Sequence, residues 1–371
     1  MTGPGNEALD AELHRILRHG IAQGALHGMV AAAGSGPVPD VLWAGGDAAV
    51  QPSRRAMTPD AIFDIASITK AVATATACGI CIDRGLLDPD APARRYLPDC
   101  AQPPGPELRV RDLATHTSGF ANEKFVGLPG DELLHRILTA PGSWPARERY
   151  HYACRNFVLL GLIVERLVGQ TLDEFCRLRI FEPLGMTSTA GYPLPSRLHD
   201  RLVPGIMHTG PDMHSMWKRA GRLLGHAGLH TGAGDLARFC AMMLGGGRLD
   251  GTRILGEQAM RWLTRPCSPP GLPRRSFGYD MRPAYPSETA IAADDHGTSP
   301  CAAGRPPGLS PQAYGHGGWA GHQFWIDPQL GRYLIILTNR THCLDFQTNG
   351  PASLLLRRQA GDALLRHGMG Q

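Results

Sequence analysis

The stretch Phe63-Asp64-Ile65-Ala66-Ser67-Ile68-Thr69-Lys70 sets a serine at the mouth of an apolar run and a lysine three residues behind it. That spacing is close to one helical turn, so the two side chains share a face. The run itself, residues 68–82, is alanine-rich and apolar all round rather than along one stripe, which predicts a helix buried on every side and stopped at Gly85. A serine hydroxyl is a poor nucleophile until a base takes its proton, and a lysine serves as that base only where burial or neighbouring cations disfavour its charge. Amides and dipole at a helix N-terminus would favour negative charge developing near Ser67. Taken alone, the spacing describes a helix-capping serine beside a solvated lysine equally well.

Working outward, 371 residues with 43% hydrophobic and 19% charged content suffice for a sizeable core in one large or two interlocked domains. The net charge of +4 comes from 37 basic and 33 acidic residues scattered along the chain, without the basic stripe that nucleic acid requires, so no nucleic-acid partner is expected. No stretch is long and apolar enough to span a membrane, and residues 1–10 lack the pattern of a secretory leader, so the expected location is the cytoplasm. Nine cysteines without framework spacing suit free thiols in a reducing compartment.

The element pattern predicts a helix over 7–19, strands at 28–33 and 41–44, then helices joined by Pro/Gly turns, including 157–167 and 172–178. A helix at 235–244, strands at 323–326 and 333–338 with a turn at Asp327-Pro328, and a helix over 353–365 complete the chain. The expected architecture is α/β (α+β): one layer of sheet and helices built by residues 1–75 and 236–371, with a mainly helical domain, 76–235, inserted between them. Residues 265–275 and 286–312, crowded with Pro, Gly and Ser, are read as loops. The second loop, together with 122–144, is expected to border the pocket and select what enters.

The phrase around Ser67 contains S-x-x-K, the signature of serine β-lactamases and penicillin-binding proteins. Its neighbours Gly85-Leu86-Leu87-Asp88-Pro89, Val110-Arg111-Asp112-Leu113-Ala114-Thr115-His116-Thr117-Ser118-Gly119, Pro183-Leu184-Gly185-Met186, Gly228-Leu229-His230-Thr231-Gly232 and Gly315-His316-Gly317-Gly318 resemble the class C β-lactamase-like family. That resemblance spans nearly the whole chain. It implies the serine β-lactamase/DD-peptidase-like fold, an antiparallel sheet flanked by helices plus the inserted helical domain with the active site at their interface, and Ser67 as nucleophile with Lys70 as its base. The family's Y-x-N element matches Tyr152, within Tyr150-His151-Tyr152-Ala153-Cys154-Arg155-Asn156-Phe157, as a phenol that relays protons between Lys70 and Ser67. Its third position is Cys154 rather than an amide, which departs from the β-lactamase pattern. Cys154 is read as lining the pocket, since no paired histidine marks it as a nucleophile.

His316-Gly317-Gly318, read as leading into a strand, stands where penicillin-binding proteins carry K-T-G. The resemblance implies that His316 assists Tyr152 electrostatically or by hydrogen bonding, that Gly317 and Gly318 let substrate approach the strand, and that the Trp319 and Ser67 backbone N–H groups form the oxyanion hole. The implied reaction is attack of Ser67 on an ester or amide carbonyl of a small molecule, followed by transfer of the acyl group to water, an amine or an alcohol. No cofactor and no metal are expected. Esterase or amidase hydrolysis, biosynthetic transacylation or transamidation, true class C β-lactamase activity and a non-catalytic ligand-binding descendant all stay open, as does the oligomeric state. Two metal-like patterns are read as structural: Cys78-x-x-Cys81 lies inside the buried helix, and His226 and His230 are separated by Gly228, which argues against one helix aligning them.

Overall fold

The computed structural model describes residues 4–121, 125, 128–205, 216–282, 305–345 and 348–367. Its centre is a six-stranded antiparallel sheet in the order β3-β2-β1-β10-β9-β8. The strands are β1 (Gly28–Gly34), β2 (Val41–Ala49), β3 (Arg55–Ala56), β8 (Tyr314–Gly318), β9 (His322–Asp327) and β10 (Arg332–Thr338). Short pairs β4 (Phe63–Asp64) with β5 (His230–Thr231), and β6 (Arg248–Leu249) with β7 (Thr252–Arg253), lie outside it.

β1 is buried along its whole length, as its run of small apolar residues dictates, and pairs Val30 with Ala44 on one side and with Leu337 on the other. Alternate residues of β1 enter opposite cores. Met29 and Ala31 pack with Leu9, Leu13 and Ile16 of the helix Pro4–Ala22 and with Leu356, Ala360 and Leu364 of the closing helix Gly350–His367. Val30 and Ala32 face the larger core, shared with Phe239 and Met242 of the helix Ala233–Leu244 and with Phe157 and Leu160 of the helix Cys154–Val168. The mixed helix and antiparallel-sheet architecture is therefore the one that the resemblance implied.

Local details differ from the pattern. The expected single helix over 68–82 is a 3-10 turn, Ala66–Ile68, then a π-helical turn, Lys70–Ala75, and only then the α-helix Thr76–Asp83. Thr76 Oγ1 donates to the Ala71 carbonyl five residues back, at 3.0 Å, which suits the wider turn. His316-Gly317-Gly318 does not lead into a strand but lies within one, the edge strand β8. A Cβ on Gly315 would fall 2.2 Å from the Phe324 carbonyl oxygen, so only glycine lets this strand lie so close against β9. Residues 265–275 form no helix or strand. Among the described residues, no helix is long and apolar enough to cross a membrane.

Candidate active site

Ser67 sits where the buried helical segment meets the sheet, on a turn held from both sides. Asp64 Oδ1 accepts from the Ala66 N–H at 2.9 Å, and the Leu229 carbonyl accepts from the Ile65 N–H at 3.1 Å. Ala66 adopts φ +48, a left-handed conformation that costs an alanine on the order of 1 kcal/mol and is kept only where the surroundings enforce it. One helical turn on, Lys70 is fully buried, with Nζ 2.9 Å from Ser67 Oγ. Nζ also donates to the His226 carbonyl at 2.9 Å and lies 3.7 Å from Cys154 Sγ. A carbonyl can only accept, so the His226 peptide fixes one amine hydrogen and aims the rest of the group at the serine.

Tyr152 ends the extended segment before the helix Cys154–Val168; it is buried, with its ring centroid 5.0 Å from Lys70 Nζ. Beneath it the His116 ring stacks at 4.4 Å. His116 itself takes φ +58 and accepts at Nδ1 from the Ala153 N–H at 3.3 Å and from Asn156 Nδ2 at 3.2 Å. Its proton is therefore on Nε2. Ser118 Oγ donates to Asn156 Oδ1 at 2.8 Å, which fixes which way that amide points. Cys154, the first residue of the helix, is partly exposed and faces Lys70.

β8 brings His316 to the other side of the phenol, ring centroids 6.4 Å apart. Its Nδ1–H donates to the Gly317 carbonyl at 2.7 Å, leaving a lone pair on Nε2. Burial, followed by the positive charges of Arg275 and Lys70, pushes its pKa down to about 3, so His316 is an uncharged imidazole at neutral pH. Any assistance it lends to Tyr152 is by hydrogen bonding and not as a cation. His116 and His226 are likewise held well below their usual range by burial.

A Cβ on Gly318 would lie 2.7 Å from the Ile65 carbonyl oxygen, so this strand abuts the Ser67 turn directly. Trp319 follows, its carbonyl accepting from Arg340 Nη1 at 2.6 Å and its ring 5.8 Å from the Arg340 guanidinium. Ser67, Lys70, Tyr152, Cys154 and His316 thus converge from three stretches of chain. Of the segments expected to border the pocket, residues 122–124, 126–127 and 286–304 lie outside the described residues.

The readings of Cys78, Cys81, His226 and His230 as structural correspond to buried positions. Cys78 and Cys81 lie in the helix Thr76–Asp83, where burial pushes both thiols up, Cys81 to about 11. His226 and His230 share no helix. Sequence reasoning missed the contribution of the His226 carbonyl, the His116 and Asn156 support under Tyr152, and a buried charge cluster at Arg275, Asp280 and Arg282. His116 and Asn156 lay within the stretches that carried the resemblance, but a side chain acting on a neighbour rather than on substrate has no spacing of its own to betray it.

The β-lactamase family model matches residues 13–357. A putative D-alanyl-D-alanine carboxypeptidase of Escherichia coli (strain K12) is 27% identical over 322 residues, covering 77% of this chain and 70% of that protein. Among solved structures, a mutant of simvastatin synthase (LovD) from Aspergillus terreus superposes with a TM-score of 0.72 at 17% identity over 98% of each chain. EstCE1, described as a hydrolase with promiscuous acyltransferase activity, does so with 0.67 at 17% identity, over 95% of this chain and 100% of its own.

Proposed function

This chain belongs to the β-lactamase family, as a serine hydrolase-type enzyme, and on that premise we propose that it acts through an acyl-enzyme on Ser67, taking the acyl group from a small-molecule ester or amide. One observation carries the reading: a fully buried amine 2.9 Å from the serine oxygen. In the first half-reaction the Ser67 O–H bond breaks and Oγ bonds to the substrate carbonyl carbon. The proton passes to the Lys70 amine, with the Tyr152 phenol beside it as the relay that returns a proton to the departing alcohol or amine. The carbonyl oxygen, negative in the tetrahedral intermediate, is received by the backbone N–H groups of Ser67 and Trp319. The approach of Gly318 to Ile65 supports that pairing of strand and turn. In the second half-reaction the acceptor oxygen or nitrogen bonds to the acyl carbon and gives its proton to the same groups, the bond from that carbon to Ser67 Oγ breaks, and Oγ takes the proton back.

The acceptor is proposed to be an amine or alcohol in competition with water. The neighbours described as a synthase and as a hydrolase with acyltransferase activity support transfer, and so does the cysteine in place of the Y-x-N amide that would engage an acylamino substrate. A cytoplasmic setting belongs to the same proposal, supported by the eight described cysteines, all free thiols.

The test is a p-nitrophenyl ester assay with mass spectrometry of the intact protein. A burst of nitrophenol and an acyl adduct, both lost in Ser67→Ala, are expected, and adding an amine should divert product from acid to amide. A folded wild-type protein that neither bursts nor reacts with a serine-directed phosphonate would overturn the reading.

A further inference from the structure

A second concavity lies outside the Ser67 site. It is a groove of about 650 Å³, within the range of small-molecule pockets, and Ser67, Lys70, Tyr152, Cys154 and His316 take no part in lining it. Three stretches build it: residues 173–182, from the helix Leu172–Cys176 through the π-helical turn Arg177–Phe181; residues 186–195; and residues 197–201 of the 3-10 turn Ser196–Arg201. The middle stretch touches the other two. A Cβ on Gly191 would fall 2.1 Å from Asp173 Oδ1, so a glycine there is what lets this carboxylate lie against the chain. Three residues earlier, Ser188 Oγ accepts from Arg201 Nη2 at 3.0 Å. An acidic anchor and a basic one are thereby tied to a single stretch, with no more than about 10 Å of backbone between them.

Neither anchor is fully balanced. At the Gly191 end one guanidinium, Arg177, serves two carboxylates: it pairs with Glu182 and lies close enough to Asp173 to favour its charged form. Burial still pushes the Asp173 carboxyl above its usual range, against the Gly191 N–H and the Arg177 charge. At the Ser188 end the Asp60 carboxylate stands 3.7 Å from Arg201, and Asp235 accepts from the Ser188 N–H and the Thr189 hydroxyl, each at 2.8 Å. Arg197 lines the groove and, among the described residues, makes no hydrogen bond or ion pair. The groove therefore has an acidic end short of positive charge and a basic end with a guanidinium to spare. A ligand of one sign would match one end and be opposed at the other.

We propose that this groove binds a short peptide with free ends, its ammonium group on Asp173, its carboxylate on Arg197 and Arg201, and an apolar side chain against Pro193 and Pro195. The planar guanidinium fork suits a carboxylate. A single amino acid holds its two charges too close together to reach both anchors. Each further residue adds about 3.5 Å, so two or three residues match the span. Binding needs no chemistry at Ser67, so the proposal stands independently of the acyl-enzyme reading.

The test is isothermal titration calorimetry of the full chain with glycyl-leucine, N-acetylglycyl-leucine and glycyl-leucinamide, repeated in Ser67→Ala so that no peptide is consumed. Glycyl-leucine should saturate one site, and each blocked peptide, lacking one charge, should bind about tenfold more weakly. Arg197→Gln should weaken glycyl-leucine about tenfold yet leave the affinity for glycyl-leucinamide as it was, because that peptide has no carboxylate to lose. Asp173→Asn should do the same for glycyl-leucine and spare N-acetylglycyl-leucine. Arg197 is exposed and asparagine keeps an oxygen against Gly191, so the two variants test the two ends separately.

Failure of glycyl-leucine to saturate the protein would overturn the proposal. So would an acetylated peptide that binds as tightly as the free one, which marks a plain anion site, or an amide that does, which marks a cation site. Unchanged glycyl-leucine affinity in both variants would place the peptide elsewhere and overturn it too.

Discussion

Acidification should unfold this protein through His322. Its ring is buried between the Ser67 turn and β10: Nε2–H donates to the Asp64 carbonyl at 2.8 Å, and Nδ1 accepts from the Thr338 N–H at 3.2 Å. Protonation would put a hydrogen on Nδ1 facing another N–H and would leave a charge in the core. Burial accordingly pushes its pKa from 6.5 down to about 3. As pH falls below 6.5 the unfolded chain takes up this proton and the folded one does not, so the stabilisation is present above pH 6.5 and is lost progressively toward pH 3. At pH 5 the unfolded histidine is nearly all protonated and the folded one nearly all neutral, which amounts to about 2 kcal/mol from this residue alone. His316, also held at about 3, and His230, at about 4, add losses of similar size. Against a total stability of about 5–15 kcal/mol, that is enough to make pH 5 damaging. Guanidinium titrations at pH 7 and pH 5, for the wild type and for His322→Gln, measure the effect. The variant should be less stable at pH 7 yet lose about 2 kcal/mol less between the two conditions. Equal losses in both proteins, or an NMR titration of His322 near its ordinary 6.5, would refute the argument.

Replacing Ser67 by Ala, or Lys70 by Met, should lower the burst rate on the order of a thousandfold or more without unfolding the protein, as followed by stopped-flow absorbance and circular dichroism. Gly318→Ala would set a methyl 2.7 Å from the Ile65 carbonyl and push β8 off the nucleophile turn; acylation should fall on the order of a hundredfold, with ester binding less affected. Cys154→Asn puts an amide in place of the thiol that lies 3.7 Å from the Lys70 amine. Turnover of an acylamino cephalosporin, expected to be negligible in the wild type, should rise about tenfold.

The sequence alone determined the elements whose residues repeat with a local period. The runs over 28–33 and 333–338 read as strands, and they became β1 and β10, paired Met29 to Thr338 across about three hundred residues of chain. The helices over 157–167 and 235–244 carried an apolar face long enough to name them. Ser67 and Lys70 were legible because one helical turn binds their spacing to their geometry, and Tyr152 and His316 because motifs surround them. What only the tertiary structure decided was the charge state of His316 and the support around these groups. His316 looks from its sequence position like a possible cation, and it is the burial of β8 that makes it neutral. The carbonyl that orients Lys70 belongs to His226, 156 residues away, and the Arg275, Asp280 and Arg282 cluster reaches the site only because Asp280 pairs with Gly315. Backbone carbonyls carry no side-chain identity, and desolvation depends on every neighbour at once, so neither leaves a mark in the order of residues.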